Sequence, residues 1–163
     1  MTEKLLLIAF LILVHLSVAA QDHDHDDHMD HEHHQLHEIG VSASPVYFVK
    51  AGELSLSTHF HYTYTFPETK FGLGVGYEHI FDEHKHNFIG AEFSYRIIHP
   101  LSISLSPGIV FEGEHPDDRD FALHLETVYE FELGAFHIGP AFEMAWHSED
   151  YHLSLGVHIG LGL

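Results

Sequence analysis

From Ile39 onward the chain repeats with a period of two: an oily or aromatic side chain, then a Gly, Ser, His or Glu. That spacing puts successive side chains on opposite faces of an extended strand and excludes amphipathic helices, which repeat at 3.6 residues. The second strand shows it most clearly. Leu54, Leu56, Phe60, Tyr62, Tyr64 and Phe66 share one face, while Ser55, Ser57, His59, His61, Thr63 and Thr65 share the other. Seven such strands follow in rhythm after a weaker first one at Ile39–Phe48, where Pro45 predicts a bulge or a local break in pairing. Each runs about ten residues, the length that crosses a bilayer at a tilt (about 9–11).

Alternation does not by itself say which face is inside. A soluble barrel of lipocalin type would enclose the oily face. Here every later strand carries a long, aromatic-rich apolar face, more than a small interior holds, and the opposite face is crowded with Gly and Ser that suit a tight lumen. Phe66, Phe71, Phe111, Phe121, Phe136, Trp146 and Tyr151 gather near strand ends, as interfacial girdles require. Closing the sheet removes the edges that lipid cannot satisfy. The expected fold is therefore all-β: an eight-stranded antiparallel up-and-down transmembrane β-barrel over residues 39–163.

On this pattern the chain resembles the small eight-stranded outer-membrane proteins, the group that includes the transmembrane domain of outer membrane protein A and its loop-poor relatives. The resemblance implies the outer membrane of a Gram-negative cell, contact with outer-membrane lipid, insertion by the barrel-assembly machinery, and both termini on the periplasmic side. The inner turns are then Pro67–Lys70, His99-Pro100 and Glu132–Ala135. The outer loops Phe48–Glu53, Asp82–Asn87, Gly113–Asp120 and His147–Asp150 are all short, and the last three are rich in acids and histidines.

With the oily face outward, the lumen receives His59, His61, Glu78, Glu92, Arg96, His124, Glu126, Glu130, His137, Glu143 and His158, with Glu112, His147 and His152 nearer the mouth. A structural network is one use for such residues, with Arg96 paired among Glu92 and Glu126 or Glu130. A cation site is the other, since His59 and His61 stand two residues apart on one face. A side-chain-filled lumen argues against a wide pore. Catalysis is not expected: GxSxG and HExxH are absent, and no motif sets a serine beside His124, His147 or His152.

The N-terminal part has a different composition. Lys4, the apolar run Leu5–Val18 and the small residues Val18-Ala19-Ala20 read as a secretory signal peptide over residues 1–20, too short for a spanning helix of about 20 apolar residues. Residues 21–38, QDHDHDDHMDHEHHQLHE, hold no basic residue and cannot bury apolar surface, so a disordered periplasmic tail is expected. His23, His25, His28, His31, His33, His34 and His37, interleaved with carboxylates, suit a borderline divalent ion such as Zn, Ni, Co or Cu. Affinity for it should fall below pH ~6.5, where free imidazole protonates. The 25 acidic residues against 6 basic ones repel nucleic acid and attract cations. The absence of cysteine removes disulfides and thiolate sites. The function expected is a non-enzymatic outer-membrane barrel that binds or buffers divalent metal. The alternatives are a structural or stress-related envelope barrel and, less favoured, a lipid-modifying enzyme.

Overall fold

The computed structural model describes residues 36–113, 117–148 and 150–163; the candidate signal peptide and the tail histidines His23, His25, His28, His31, His33 and His34 lie outside the described residues. The strands are β1 (His37–Phe48), β2 (Glu53–Thr65), β3 (Phe71–Ile80), β4 (His86–Ile98), β5 (Leu101–Glu112), β6 (Arg119–Tyr129), β7 (Phe131–Leu133), β8 (Phe136–His147) and β9 (Tyr151–Gly162). From β1 to β6 each pairs antiparallel with its sequence neighbour, β6 and β7 both pair with β8, β8 pairs with β9, and β1 closes onto β9. β7 continues β6: Val128 faces Ala141 and Phe131 faces Ile138 in unchanged register on β8. The result is a closed, eight-stranded, all-antiparallel barrel.

Its burial is inverted relative to a soluble protein. Leu54, Leu56, Phe71, Val75, Phe93, Phe136 and Leu155 are exposed on the outer wall, whereas His59, Glu78, Glu92, His124, Glu143 and His158 are buried. The apolar face of each strand therefore points away from the cylinder. Aromatic contacts concentrate at the rims: Phe71 on Tyr95, Tyr129 on Phe131 and Tyr64 on Phe66 at one end, with Trp146 paired across from Tyr151 at the other.

Three prolines sit inside strands, and each interrupts one ladder without shifting its register. Pro45 pairs with Leu56, but the β1–β9 ladder lapses between Ala43 and Val46. Pro107 pairs with Leu123 while the β4–β5 ladder lapses between Gly90 and Phe93. Pro140 pairs with Val157 and leaves the break at Glu130 that separates β6 from β7. A missing N–H removes one rung and the flanking rungs hold the alignment. A true register shift occurs elsewhere, at Arg96–Ile98 in β4, beside the His99-Pro100 corner.

The ends of the barrel differ. His37 and Leu163 exchange backbone hydrogen bonds at the terminal end. The tight turns lie at that end, including the two-residue Gly134-Ala135 hairpin, where Gly134 takes φ 73°. At the opposite, loop end, Asp150 accepts N–H bonds from Lys50 (2.9 Å), Ala51 (3.1 Å) and Tyr151 (2.7 Å), tying two loops together. Asp82 similarly caps its turn by accepting the His86 N–H at 3.0 Å.

Candidate metal centres in the lumen

Extended backbone fixes every second side chain of each strand toward the axis, so residues far apart in sequence meet there. His59, His61, Glu78, Glu92, His124, Glu126, Glu130, His137, Glu143 and His158 are all buried inside the cylinder, and Arg96 is partly so. They form two centres and two separate pairings.

The first centre lies in the half toward the loop end. His124 Nδ1 is 3.5 Å from Glu143 and 3.7 Å from Glu78. His152 Nε2 is 3.5 Å from Glu143 and 3.9 Å from Glu78. His59 Nδ1 joins from the axis side, 3.4 Å from Glu126 and 3.9 Å from Glu143. Ligand atoms of Glu78, His124 and Glu143 lie within 4.8 Å of one another, and so do those of His59, Glu126 and Glu143. Glu78 Oε2, Glu143 Oε1, His124 Nδ1 and both His152 nitrogens are buried without a hydrogen-bond partner among the described residues. Buried polar atoms are rarely left so, because each costs about 1–3 kcal/mol. Glu78, His124 and Glu143 would suit a divalent cation, which would give one ligand atom of each a common partner and offset the adjoining carboxylate charges.

Above this centre the lumen is capped by apolar side chains. Val46, Phe48, Ile80 and Phe88 point inward and are buried. Phe48, Ile80 and Phe88, with Glu78, His124, His147 and His152, line a cavity of about 10 Å³, near the ~10–15 Å³ that admits one water-sized sphere. Side chains therefore fill this part of the cylinder.

The second centre lies toward the terminal end and is built around Glu38. Its Oε1 is 3.2 Å from His61 Nε2, 3.4 Å from His137 Nε2 and 3.7 Å from His158 Nε2. The Nε2 atoms of His137 and His158 are 3.1 Å apart. His158 stacks between the other two rings, 5.1 Å from His61 and 5.2 Å from His137. Sequence reasoning had placed Glu38 and His37 in a disordered tail. Both belong to β1, because the alternation of Gly40 and Ser42 continues two residues back and puts Glu38 on the lumen side. His37 faces outward and contacts the Tyr62 hydroxyl at 2.7 Å; it is no part of the lumen.

His59 and His61 do come together as the spacing suggested: with Glu92 their ligand atoms lie within 4.8 Å, and the two rings are 5.7 Å apart. They nonetheless serve different centres. Arg96, Glu130 and Glu92 have partners within the protein. Arg96 pairs with Glu130 at 3.6 Å, and Glu130 also accepts the Ser102 hydroxyl at 2.9 Å. Glu92 accepts the Thr63 hydroxyl at 2.9 Å. A serine–histidine contact that the sequence did not signal joins Ser42 Oγ to His158 Nδ1 at 3.2 Å. Ser42 is 3% exposed and walled in. At the mouth, His84 and Glu112 approach to 3.8 Å, and His86 lies 6.0 Å from His147, ring to ring.

No family model matches this chain, and no curated protein does. Among solved structures it is similar to the crystal structure of Neisserial surface protein A (NspA), with a TM-score of 0.60 and 12% identity over 78% of this chain and 97% of that one. A de novo designed transmembrane β-barrel superposes with a TM-score of 0.52 and 13% identity, over 76% of this chain and 95% of the design. The N-terminal β-barrel domain of Pseudomonas aeruginosa OprF gives 0.51 and 12%, over 77% and 97%. At such identities the likeness is one of fold: that of the small eight-stranded outer-membrane barrels.

Proposed function

We propose that this chain is a non-enzymatic barrel of the Gram-negative outer membrane whose histidine- and carboxylate-lined lumen binds divalent metal ions, assisted by the His/Asp-rich segment before β1. The outward apolar wall and the shared fold support the location. The observation that carries the metal reading is the first centre: Glu78, Glu143, His124 and His152 converge with buried, unpartnered ligand atoms. Two buried carboxylates repel one another and lose hydration, a cost that a bound cation offsets. Imidazole with carboxylate suits Zn, Ni, Co or Cu, and His59 with Glu126 supplies a further pair beside it.

A purely structural barrel is favoured only by the self-satisfied Arg96–Glu130–Ser102 and Thr63–Glu92 pairings. The deciding experiment is calorimetric titration of Zn²⁺ and Ni²⁺ into the folded protein, intact and lacking residues 21–36. Heat retained after the deletion places binding in the lumen, and heat lost with it places binding in the tail. Negligible heat from both proteins removes the metal reading and leaves the structural one.

A further inference from the structure

We propose that Glu143 is a bridging carboxylate and that the first centre holds a pair of divalent cations, one with Glu78 and His124, the other with His59 and Glu126. This rests on the reading that the lumen takes metal, and it adds the number of ions and the residue they share.

The first ground is the way the strands meet. Glu143 on β8 lies directly opposite Glu126 on β6, and both are buried on the inward face. Like charges directly across a ladder destabilise it, and a cation between them reverses the sign. His59 arrives from β2, its Nδ1 3.4 Å from Glu126 Oε2 and 3.9 Å from Glu143 Oε2. His124 Nδ1, from β6, is 3.5 Å from the same Glu143 Oε2 and 3.7 Å from Glu78 Oε2 on β3. Each triad brings its three ligand atoms within 4.8 Å of one another, and Glu143 is the member they have in common. Ligand atoms of one ion, with bonds of about 2.0–2.2 Å, lie roughly 3–4 Å apart. His152 Nε2 stands 3.5 Å from Glu143 Oε1, so both oxygens of the bridge face imidazoles.

The second ground is unmet bonding. Glu78 Oε2, Glu143 Oε1 and His124 Nδ1 are buried with no hydrogen-bond partner among the described residues. Glu78 is 2% exposed, and Glu143 and His124 are each 4% exposed. His124 Nδ1 thus stands near two carboxylate oxygens and hydrogen-bonds to neither, as a nitrogen aimed between them does.

The third is charge. Glu78, Glu126 and Glu143 bring three carboxylates into one half of the lumen. Of the basic side chains, Lys50, Lys70, Lys85 and Arg119 are exposed and Arg96 pairs with Glu130. One divalent ion offsets two of those buried charges, whereas a pair covers all three. Two-metal sites hold their ions about 3.5–4 Å apart, a span that one carboxylate bridges. Each ion then has carboxylate oxygens and one imidazole nitrogen, a donor set suited to Zn²⁺, Co²⁺ or Cu²⁺.

The test uses the full chain folded in detergent, with His23, His25, His28, His31, His33 and His34 replaced by Asn to silence that segment. Cu²⁺ is titrated calorimetrically, electron paramagnetic resonance reports coupling between ions, and circular dichroism reports folding. The parent is expected to develop the half-field signal of a coupled pair as the second equivalent binds. Glu126→Gln is expected to lose that signal and one equivalent, keeping the ion at Glu78, His124 and Glu143. Glu143→Gln is expected to lose the signal and weaken both equivalents. His59→Asn, on a different strand, repeats the Glu126→Gln loss and serves where that variant does not fold. A parent that binds Cu²⁺ only as isolated spins, or a signal that survives in Glu126→Gln and His59→Asn, overturns the shared carboxylate while leaving a single-ion first centre standing. No binding by the parent overturns both.

Discussion

Phe88 lies face to face on His124, with ring centroids 3.7 Å apart and planes 17° from parallel. The contact joins the apolar cap of the lumen to the first candidate centre, since His124 also approaches Glu78 and Glu143. Room for it comes from the paired Gly90 and Gly108, where an added Cβ would stand 2.5 Å from the Phe88 ring.

Removing that ring should cost about 3 kcal/mol, the lower range for a buried Phe→Ala. Gly90→Ala should cost about 1–3 kcal/mol by overpacking. Because both act on the same space, the double variant should be less destabilised than the sum, and urea unfolding of the four proteins measures the difference. Additive losses would show that Phe88 does not occupy the glycine gap.

Val75 is 59% exposed in the middle of β3. On a water-soluble protein a Val→Arg change at such a position falls within about ±0.5 kcal/mol. On a lipid-facing wall it costs about 2–4 kcal/mol near the midplane. Unfolding from lipid vesicles should give the larger figure for Val75→Arg, and a neutral result would contradict the outward greasy face.

Asp150 supplies a pH dependence outside the membrane. Burial tends to raise its carboxyl, but the Lys50, Tyr151 and Ala51 amides outweigh it and hold the group below the usual carboxylate range. A depressed pKa stabilises the fold above the unfolded value of about 3.9, and that contribution is lost as pH falls through the lower folded value. Asp150→Asn should therefore cost about 1–2 kcal/mol at pH 7, with the gap from wild type narrowing below pH ~4. A gap that widens on acidification would reverse the sign. Asp82 is held low in the same direction: its partial burial is outweighed by the His86 N–H and the adjoining imidazole.

The barrel itself was legible because one rule, alternation, governs every strand and lipid leaves no other use for the oily face. The same rule assigned His124, Glu143 and His158 to the lumen but not to their partners, since cross-barrel proximity depends on register and closure. Glu38 was missed because the acidic composition before it masked two more residues of alternation. Val46, Phe48, Ile80 and Phe88 were missed because oily residues were assigned outward, although their parity with Ser44, Glu78 and Gly90 puts them inside. Pro45 was read correctly as a lapse in pairing, and Pro107 and Pro140 act the same way.

Trp146, the sole tryptophan, is 50% exposed on the outer wall of β8 near the loop end. Its fluorescence, recorded in vesicles whose lipids carry bromine along the acyl chains, asks directly whether that wall meets lipid. Strong quenching by shallowly placed bromine, with little by aqueous iodide, is the result expected of a greasy exterior around an imidazole–carboxylate lumen. Iodide quenching without bromine quenching, from folded protein that stays in solution without detergent, would contradict it.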